Sequence, residues 1–386
     1  VKDTNRQTYL NATPGTTIPM DDITTMWVWI PRFKVNTTDF DAISGECSCS
    51  DTSYTTKVDC RGSDLWLCSN PGAIDVTFVK QNETAIDAFT FGNKELSGFW
   101  YGKFEVSHST LASSTTTNNL GCTNETCSNA NEIIIKPNVQ SLRNNDESNY
   151  FYASRSMEQT GNSFGFVSSE VDTHMSKNNE WGAVAYLTQS IYGRCTSSIT
   201  CTEVYINNSS GYYTGRSGGA AGNTPINGTY TDQTSTTNYN TYGFYTYDDY
   251  LLNYNTNTKG NKVEGKGTGA STTGTIYGIY DMSGGAGELV MGTNGTHISK
   301  SGFTVLPDEK YYNNYFSVTS YEGHSLTETK GWYNDYNKFV IADNPWILRG
   351  GYYDEGTEAG VFSFTTSLYF TCASGGRSSH TVITNE

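Results

Sequence analysis

Hydrophobic and polar residues alternate over several short segments of this chain, a pattern that predicts strands rather than long helices. The clearest predicted strand runs from Phe99 to Ser107, where alternate aromatic residues share one face. Met26 to Ile30 is an aromatic and β-branched run that also predicts a strand, ended by Pro31. Shorter strands are predicted at Ala73–Phe78, Ile276–Tyr280, Leu289–Met291, Ile347–Leu348, Gly360–Phe364 and Thr381–Thr384.

Only two segments show the apolar spacing of a good helix, Tyr150–Gln159 and Ser176–Ser190. In the second, Trp181 and Ala185 recur four residues apart on one face. Ser176 is a suitable N-cap residue, because its hydroxyl can accept a hydrogen bond from the first turn. Few helices, many short strands and large loops indicate an α+β fold.

Polar, low-complexity sequence separates these elements. Residues 41–75 are rich in cysteine, residues 109–131 in Ser, Thr and Asn, and residues 195–275 in Gly, Asn, Thr, Ser and Tyr. We expect residues 1–25 to be a lead-in segment and residues 26–386 to be a single domain with insertions at about those three places. No linker-like boundary divides the chain into two cores. The tyrosines of the last insertion can supply its packing on the core.

Composition narrows the class of protein. Only 35% of the 386 residues are hydrophobic, but 28 Tyr, 17 Phe and 7 Trp can still bury a core, and we expect Trp100, Trp181 and Trp346 to lie in it. The net charge of −15 argues against nucleic acid or an anionic membrane surface as partner. No stretch approaches the roughly 20 apolar residues of a membrane helix, so we expect no direct membrane insertion. Because residue 1 is Val, we expect a processed piece of a longer protein.

The cysteines cluster in polar loops, which predicts disulfides formed in an oxidising compartment and hence an extracellular or cell-surface protein. The predicted disulfide cysteines are Cys47, Cys49, Cys60, Cys68, Cys122, Cys127, Cys195 and Cys201. The first four are an alternative zinc site, but their uneven spacing fits zinc poorly. Cys372 is left over, and a buried free thiol is favoured over an intermolecular or reactive cysteine. Sequons at Asn11, Asn36, Asn82, Asn124, Asn207, Asn208, Asn227 and Asn294 fit glycosylated loops, although this composition produces that many by chance.

Four short motifs follow one another in a fixed order. They are Gly98–Ser107 (GFWYGKFEVS), Lys177–Tyr186 (KNNEWGAVAY), Ile276–Glu288 (IYGIYDMSGGAGE) and Trp346–Tyr352 (WILRGGY). In this order they resemble the formylglycine-generating-enzyme (sulfatase-modifying factor) superfamily, over roughly residues 25–386. The resemblance implies a C-type-lectin-like α+β fold with few helices, short strands and long disulfide-stapled loops. That superfamily includes members that oxidise a substrate cysteine and members that only bind.

The resemblance also implies where oxidase chemistry would lie. In oxidising members a pair of copper-binding cysteines follows the Arg-Gly-Gly motif, whereas here Arg349–Gly351 is followed by Tyr352–Gly356 without a cysteine. We therefore expect no copper and no oxidase activity. The five histidines form no metal-binding helical pair, and the chain has no nucleophile elbow. Asp248 and Asp249 are adjacent, but neighbouring carboxylates in such a loop are usually solvated. The sequence thus predicts that the chain is not an enzyme.

Calcium is the cofactor that the resemblance leaves open. Relatives often hold Ca²⁺ around a Gly-Asn-x-Trp-Glu segment that follows the Met-Ser motif. Here the segment is Gly284–Glu288, in which the amide and the Trp are replaced by glycine and Glu288 remains as a hard oxygen ligand. The alternative is that Glu288 bonds backbone groups of its own turn.

Binding relatives recognise their targets through the C-terminal stretch, so the candidate ligand-binding residues are Tyr352, Tyr353, Asp354, Glu355 and Glu358. The alternative is that Tyr352 belongs to the core and the acids are only solvated. Residues 14–32 also resemble surface-protein ectodomains of Gram-positive gut bacteria and their prophages. The prediction is a non-enzymatic adhesin, pilus-associated or receptor-binding module for a glycan or protein on a cell surface. The first alternative is a structural subunit that self-associates in an extracellular filament.

Overall fold

The structure is a computed structural model, and it describes residues 1–37, 40, 47–49, 66–123, 126–217, 250–253, 258–262, 270–275, 278–316, 322–366 and 373–385. In this part of the chain the helices are α1 (Asp3–Leu10), α2 (Glu147–Ser156) and α3 (Asn178–Thr188). The strands before α2 are β1 (Trp27–Pro31), β2 (Phe33–Val35), β3 (Cys47–Cys49), β4 (Trp66–Cys68), β5 (Val76–Phe78), β6 (Thr90–Phe91), β7 (Lys94–Glu95), β8 (Gly98–Gly102), β9 (Ser107–His108), β10 (Cys122–Thr123), β11 (Thr126–Cys127) and β12 (Ile133–Ile134). Those after α2 are β13 (Val171–Met175), β14 (Tyr250–Asn253), β15 (Thr258–Lys262), β16 (Gly287–Thr293), β17 (Asn313–Asn314), β18 (Trp346–Gly350), β19 (Gly360–Thr366), β20 (Arg377–Ser378) and β21 (Thr381–Asn385). Few helices and many strands make an α+β architecture that is mostly sheet.

One antiparallel sheet joins the two ends of the chain in the order β1-β8-β21-β13. The predicted strand at Phe99 ends at Gly102, not at Ser107, and its residues alternate as expected, with Phe99 and Tyr101 fully buried. Trp100 points the other way and is 40% exposed, so its expected place in the core is wrong. It packs beside Trp29 on the neighbouring strand, with ring centroids 5.3 Å apart.

A second, five-stranded sheet carries the third and fourth motifs. Its order is β17-β16-β18-β19, and β20 pairs with the other part of β16. Leu289 lies opposite Leu348 in the β16–β18 pair, and both strands are buried along their whole length. Strands buried on both faces are continuously apolar or carry polar side chains with fixed partners, and this sheet holds several such polar groups.

The helix at the second motif is confirmed, with a different cap. α3 begins after Lys177, whose backbone N–H donates to Glu180 Oε2 at 2.8 Å. Ser176 is not the cap; its hydroxyl donates to the Tyr101 hydroxyl at 3.0 Å instead. Trp181 is fully buried and donates from its indole N–H to the Val361 carbonyl at 3.0 Å. The helix is therefore fixed to the second sheet by a side chain from its first turn.

The local cysteine pairs are confirmed as disulfides. Cys122 bonds Cys127 and Cys195 bonds Cys201, with sequence separations of 5 and 6. Cys49 and Cys68 are also disulfide-bonded. Cys60, Cys372, the first two residues of the strand expected at Ile276–Tyr280 and most of the insertion at residues 195–275 lie outside the described residues. The described end of that expected strand forms only an isolated bridge, between Tyr280 and Ser271. In the described part of the chain, no helix is long and apolar enough to cross a membrane.

Candidate functional site

The loop that carries the predicted ligand-binding residues grows out of β18 on a fixed base. Gly350 and Gly351 have φ of +80° and +71°, and a Cβ on Gly351 would lie 2.6 Å from the Ala359 Cα. Only glycine fits this close backbone approach without strain. Arg349 is fully buried, and its Nη2 donates to the Ser325 carbonyl at 2.8 Å. The motif therefore has an architectural role and fixes the backbone at the start of the loop.

Two of the five predicted residues hold the loop together. The backbone N–H of Tyr352 donates to Glu355 Oε2 at 2.8 Å, which closes a tight turn. The Tyr352 hydroxyl accepts a hydrogen bond from Arg377 Nε at 3.0 Å. Burial raises the pKa of the Glu355 carboxyl. Both side chains are half-buried, so for Tyr352 the structure favours a packing role.

Of the other three predicted residues, Tyr353 meets a side chain from a distant segment, and two are exposed acids. Tyr353 is half-buried, and its ring lies edge-on to Tyr212 with centroids 5.2 Å apart. The Arg143 guanidinium stacks on Tyr212 at 4.1 Å from the ring centroid. Asp354 and Glu358 are exposed on the same loop. We define the loop surface as Arg143, Tyr212, Tyr353, Asp354 and Glu358.

Sequence reasoning missed Arg143 and Tyr212. Tyr212 lies in the polar insertion, where tyrosines were expected only to pack on the core, and no local pattern connects it with residue 353. The connection is made by Asn207, whose backbone N–H donates to the Ser283 carbonyl at 2.9 Å and whose carbonyl accepts from Gly285 N–H at 2.6 Å. The third motif thus positions the insertion beside the C-terminal loop.

Glu288 lies elsewhere, in the interior of the second sheet. It is fully buried, and its Oε2 is hydrogen-bonded to His380 Nδ1 rather than to backbone groups of the turn. Burial raises the pKa of Glu288 well above its usual value, and the neighbouring Asp281 adds to this shift. Burial lowers the pKa of His380 to about 4. Burial thus disfavours the charged form of both members of the pair, the Glu288 carboxylate and the His380 imidazolium.

Two further carboxyls share this interior. Burial, then the nearby Glu288 and Asp281, raise the pKa of Glu105, and burial raises the pKa of Asp281 to about 6. Calcium prefers ionised carboxylates and carbonyl oxygens. Among the described residues, no group of three or more His, Cys, Asp or Glu side chains is arranged to hold a metal ion. The raised pKa of Glu288 disfavours the ionised carboxylate that calcium prefers.

The loop surface and the buried carboxyls differ in solvent exposure. The residues of the loop surface are exposed or half-buried, whereas Glu105, Asp281 and Glu288 are at most 3% exposed. A partner molecule can reach the first group and not the second. No protein-family model matches this chain, and no curated protein is similar to it in sequence.

Proposed function

We propose that this chain is an extracellular, non-enzymatic binding module that recognises a glycan or protein on a cell surface through the loop surface. The observation that carries the proposal is the Tyr353–Tyr212 ring pair, backed by Arg143 and flanked by Asp354. Tyrosine offers a large contact area at a low cost in conformational entropy. Binding residues on loops held by a rigid scaffold are a common arrangement, and the Arg-Gly-Gly base supplies that scaffold here.

The proposed fold within the α+β class is C-type-lectin-like. It is supported by the sheet that brings the terminal strands β1 and β21 together through β8, by two helices in the core, and by the long loops between short strands. The disulfides are compatible with an extracellular location.

The test is a binding screen of the whole chain against glycans and host-surface proteins, with and without a calcium chelator. We expect a specific partner whose binding is lost when Tyr353, Asp354 and Glu358 are changed to Ala together. Truncating a side chain at the centre of an interface to Ala typically weakens the binding free energy by about 2 kcal/mol or more. The affinity of this variant should therefore fall at least about thirtyfold.

The matched control changes Tyr205 and Glu170 to Ala. Tyr205 also lies under a guanidinium, that of Arg194 at 4.9 Å, and Glu170 is exposed, but neither belongs to the loop surface. Equal losses in both variants, or unchanged binding in the loop variant, would count against recognition by the loop surface. Calcium at Glu288 stays a prediction, and loss of binding in chelator, restored by added calcium, would support it.

A second candidate function is a structural subunit of an extracellular filament. One observation favours it: four apolar side chains are exposed on strand β5, just after α3 and inside the loop that the Cys195–Cys201 disulfide closes, and we call them the apolar surface. They are Phe78, Ile191, Tyr192 and Ile199. Ile199 is 85% exposed, and Phe78 packs on Tyr192 with ring centroids 4.6 Å apart. Exposed apolar groups near one another are typical of interaction sites. Filaments in native material would favour this role; a monodisperse monomer would count against it.

An oxidase of the formylglycine-generating type is disfavoured. Its copper site needs a cysteine pair after the Arg-Gly-Gly motif, and Tyr352–Gly356 contains none. Oxygen-dependent consumption of a substrate thiol by the purified chain with added copper would reverse this view.

A further inference from the structure

A polar cleft of about 750 Å³ lies apart from the loop surface. Its walls are the β6–β7 hairpin, Asp172 on β13, the start of α3 at Lys177 and Asn179, residues 308–313, and Asn385 at the end of β21. The loop surface contributes none of the lining residues. The volume is in the range of small-molecule sites and accommodates one or two sugar rings.

The acidic residues of the wall do not make the cleft repel anions uniformly. Those residues are Asp87, Asp172, Asp308 and Glu309. Asp172 lies 2.7 Å from Arg155 Nη1 and 3.1 Å from Lys310 Nζ. Burial alone would raise the pKa of Asp172, but its hydrogen-bonding and cationic partners outweigh burial and hold that pKa below its usual value. Asp87 Oδ2 lies 2.7 Å from His324 Nε2. Asp308 and Glu309 are exposed, so solvent screens their charges.

Lys177 is a buried cation of the cleft wall whose ion pair is long. It is 4% exposed, and its ammonium lies 5.2 Å from the centroid of the Phe91 ring. Within the described part of the chain, its nearest carboxylate oxygen is Glu180 Oε1, at 3.9 Å. That oxygen already forms a 3.1 Å hydrogen bond with His174 Nε2. A buried ammonium at the limit of ion-pair distance gains most from an additional anion.

Asn179 provides a second and independent polar group on the same wall. It is 2% exposed, and its side-chain oxygen Oδ1 has no hydrogen-bond partner among the described residues. Its backbone N–H donates to Asn313 Oδ1 at 2.9 Å, so the first turn of α3 is fixed in place. A buried acceptor without a donor is uncommon in folded proteins and suits a hydroxyl supplied by a ligand. The positive end of the α3 dipole lies at the same turn and favours an anion there.

We propose that this cleft binds an acidic sugar, a hexuronic acid unit, independently of the loop surface. Its carboxylate lies at Lys177 Nζ, and a ring hydroxyl donates to Asn179 Oδ1. The half-buried ring of Tyr312, at the cleft wall, packs on an apolar face of the sugar. One anion and one hydroxyl donor complement the Lys177 ammonium and the unpaired Asn179 Oδ1, and a neutral sugar supplies only the second.

The test is calorimetric titration of the whole chain with glucuronate, its methyl ester and glucose. We expect saturable glucuronate binding and at least about tenfold weaker binding of the two neutral sugars, because a hydrogen bond to a charged group contributes about that factor. Lys177→Met should weaken glucuronate binding at least about tenfold and leave the neutral sugars unchanged. Lys177→Arg keeps the charge and should retain most of the binding.

Two further variants keep the outcome interpretable. Lys338→Met removes an exposed lysine outside the cleft and should bind glucuronate like the unmodified chain. Asn179→Asp keeps the side-chain shape and should abolish binding by repulsion, even if Lys177→Met does not fold. Equal affinity for glucuronate and its ester, unchanged affinity in Lys177→Met, or no saturation by the folded chain up to about 10 mM would overturn the proposal. The Tyr353, Asp354 and Glu358 variant should still bind glucuronate, which separates this site from the proposed function.

Discussion

At the scale of single residues, burial is the first influence on the pKa values of the interior carboxyls in this protein. Glu288 and Glu105 have few charged partners to oppose burial, so both have raised pKa values. Asp172 is buried as well, but His174 and Arg155 lie next to it and its pKa is lowered. The decisive difference is whether a cationic group comes within ion-pair distance, since burial alone disfavours the charged form.

Asp335 offers a direct test of this principle. Its Oδ2 accepts from the Phe362 N–H at 2.9 Å, and burial raises its pKa from 3.8 to about 8 despite that bond. At pH values between these two pKa values, the Asp335 carboxyl is ionised in the unfolded chain and protonated in the folded chain. The free energy of unfolding therefore falls as pH rises, by up to about 1.4 kcal/mol per pH unit. Asp335→Asn cannot titrate and should show a shallower decline from about pH 5 to about pH 8 in urea unfolding. Exposed Asp354→Asn is the control, and parallel curves for Asp335→Asn and the unmodified chain would contradict the expectation.

At the scale of elements, α3 shows packing overriding intrinsic propensity. Gly182 lies inside this helix, where Ala would normally be favoured by about 1 kcal/mol. A Cβ at this position would lie 2.1 Å from the Gly323 carbonyl oxygen and 2.6 Å from the His324 backbone carbon. The glycine therefore lets a loop backbone approach the helix directly, which a periodicity analysis cannot detect.

Gly182→Ala should accordingly destabilise the protein. The clash is with backbone rather than with a flexible side chain, so we expect a loss of about 1–3 kcal/mol, typical of overpacking. Chemical denaturation measures it. Gly375→Ala is the matched control, because the nearest heavy atom to its Cβ would be 3.6 Å away, an ordinary contact. A more stable Gly182→Ala variant would show that helix propensity outweighs the close approach.

At the scale of the whole molecule, the disulfides are local and the buried core is not. Each of the two local bridges closes a loop of only a few residues, with separations of 5 and 6. Short loops lose little chain entropy on cross-linking, so each bridge contributes about 2 kcal/mol. The large apolar clusters around Trp181 and Trp346 join residues from most of the described sequence.

Replacing Cys195 and Cys201 together by Ser should therefore lower the free energy of unfolding by about 2 kcal/mol without abolishing the fold. Binding through the loop surface should persist, while any self-association through the apolar surface should weaken, since Ile199 lies between the two cysteines. Denaturation, the binding screen and sedimentation measure the three effects. Complete unfolding of the variant would contradict this expectation and would show that the disulfide is required for the fold.

The sequence by itself determined the α+β class, the approximate positions of the main strands and of α3, and the local disulfides at Cys122 and Cys195. These follow from periodicity and short spacing, which are properties of neighbouring residues. Only the tertiary structure decided that Tyr353 meets Tyr212 and that Glu288 is paired with His380. Neither contact has a local signature, because each joins segments that are distant in sequence. Backbone hydrogen bonds between Asn207 and the third motif place Tyr212 beside Tyr353, and the pairing of β16 with β20 brings Glu288 near His380. Burial shifts the pKa values and distinguishes the exposed loop residues from those that pack within the loop. It too depends on the tertiary structure.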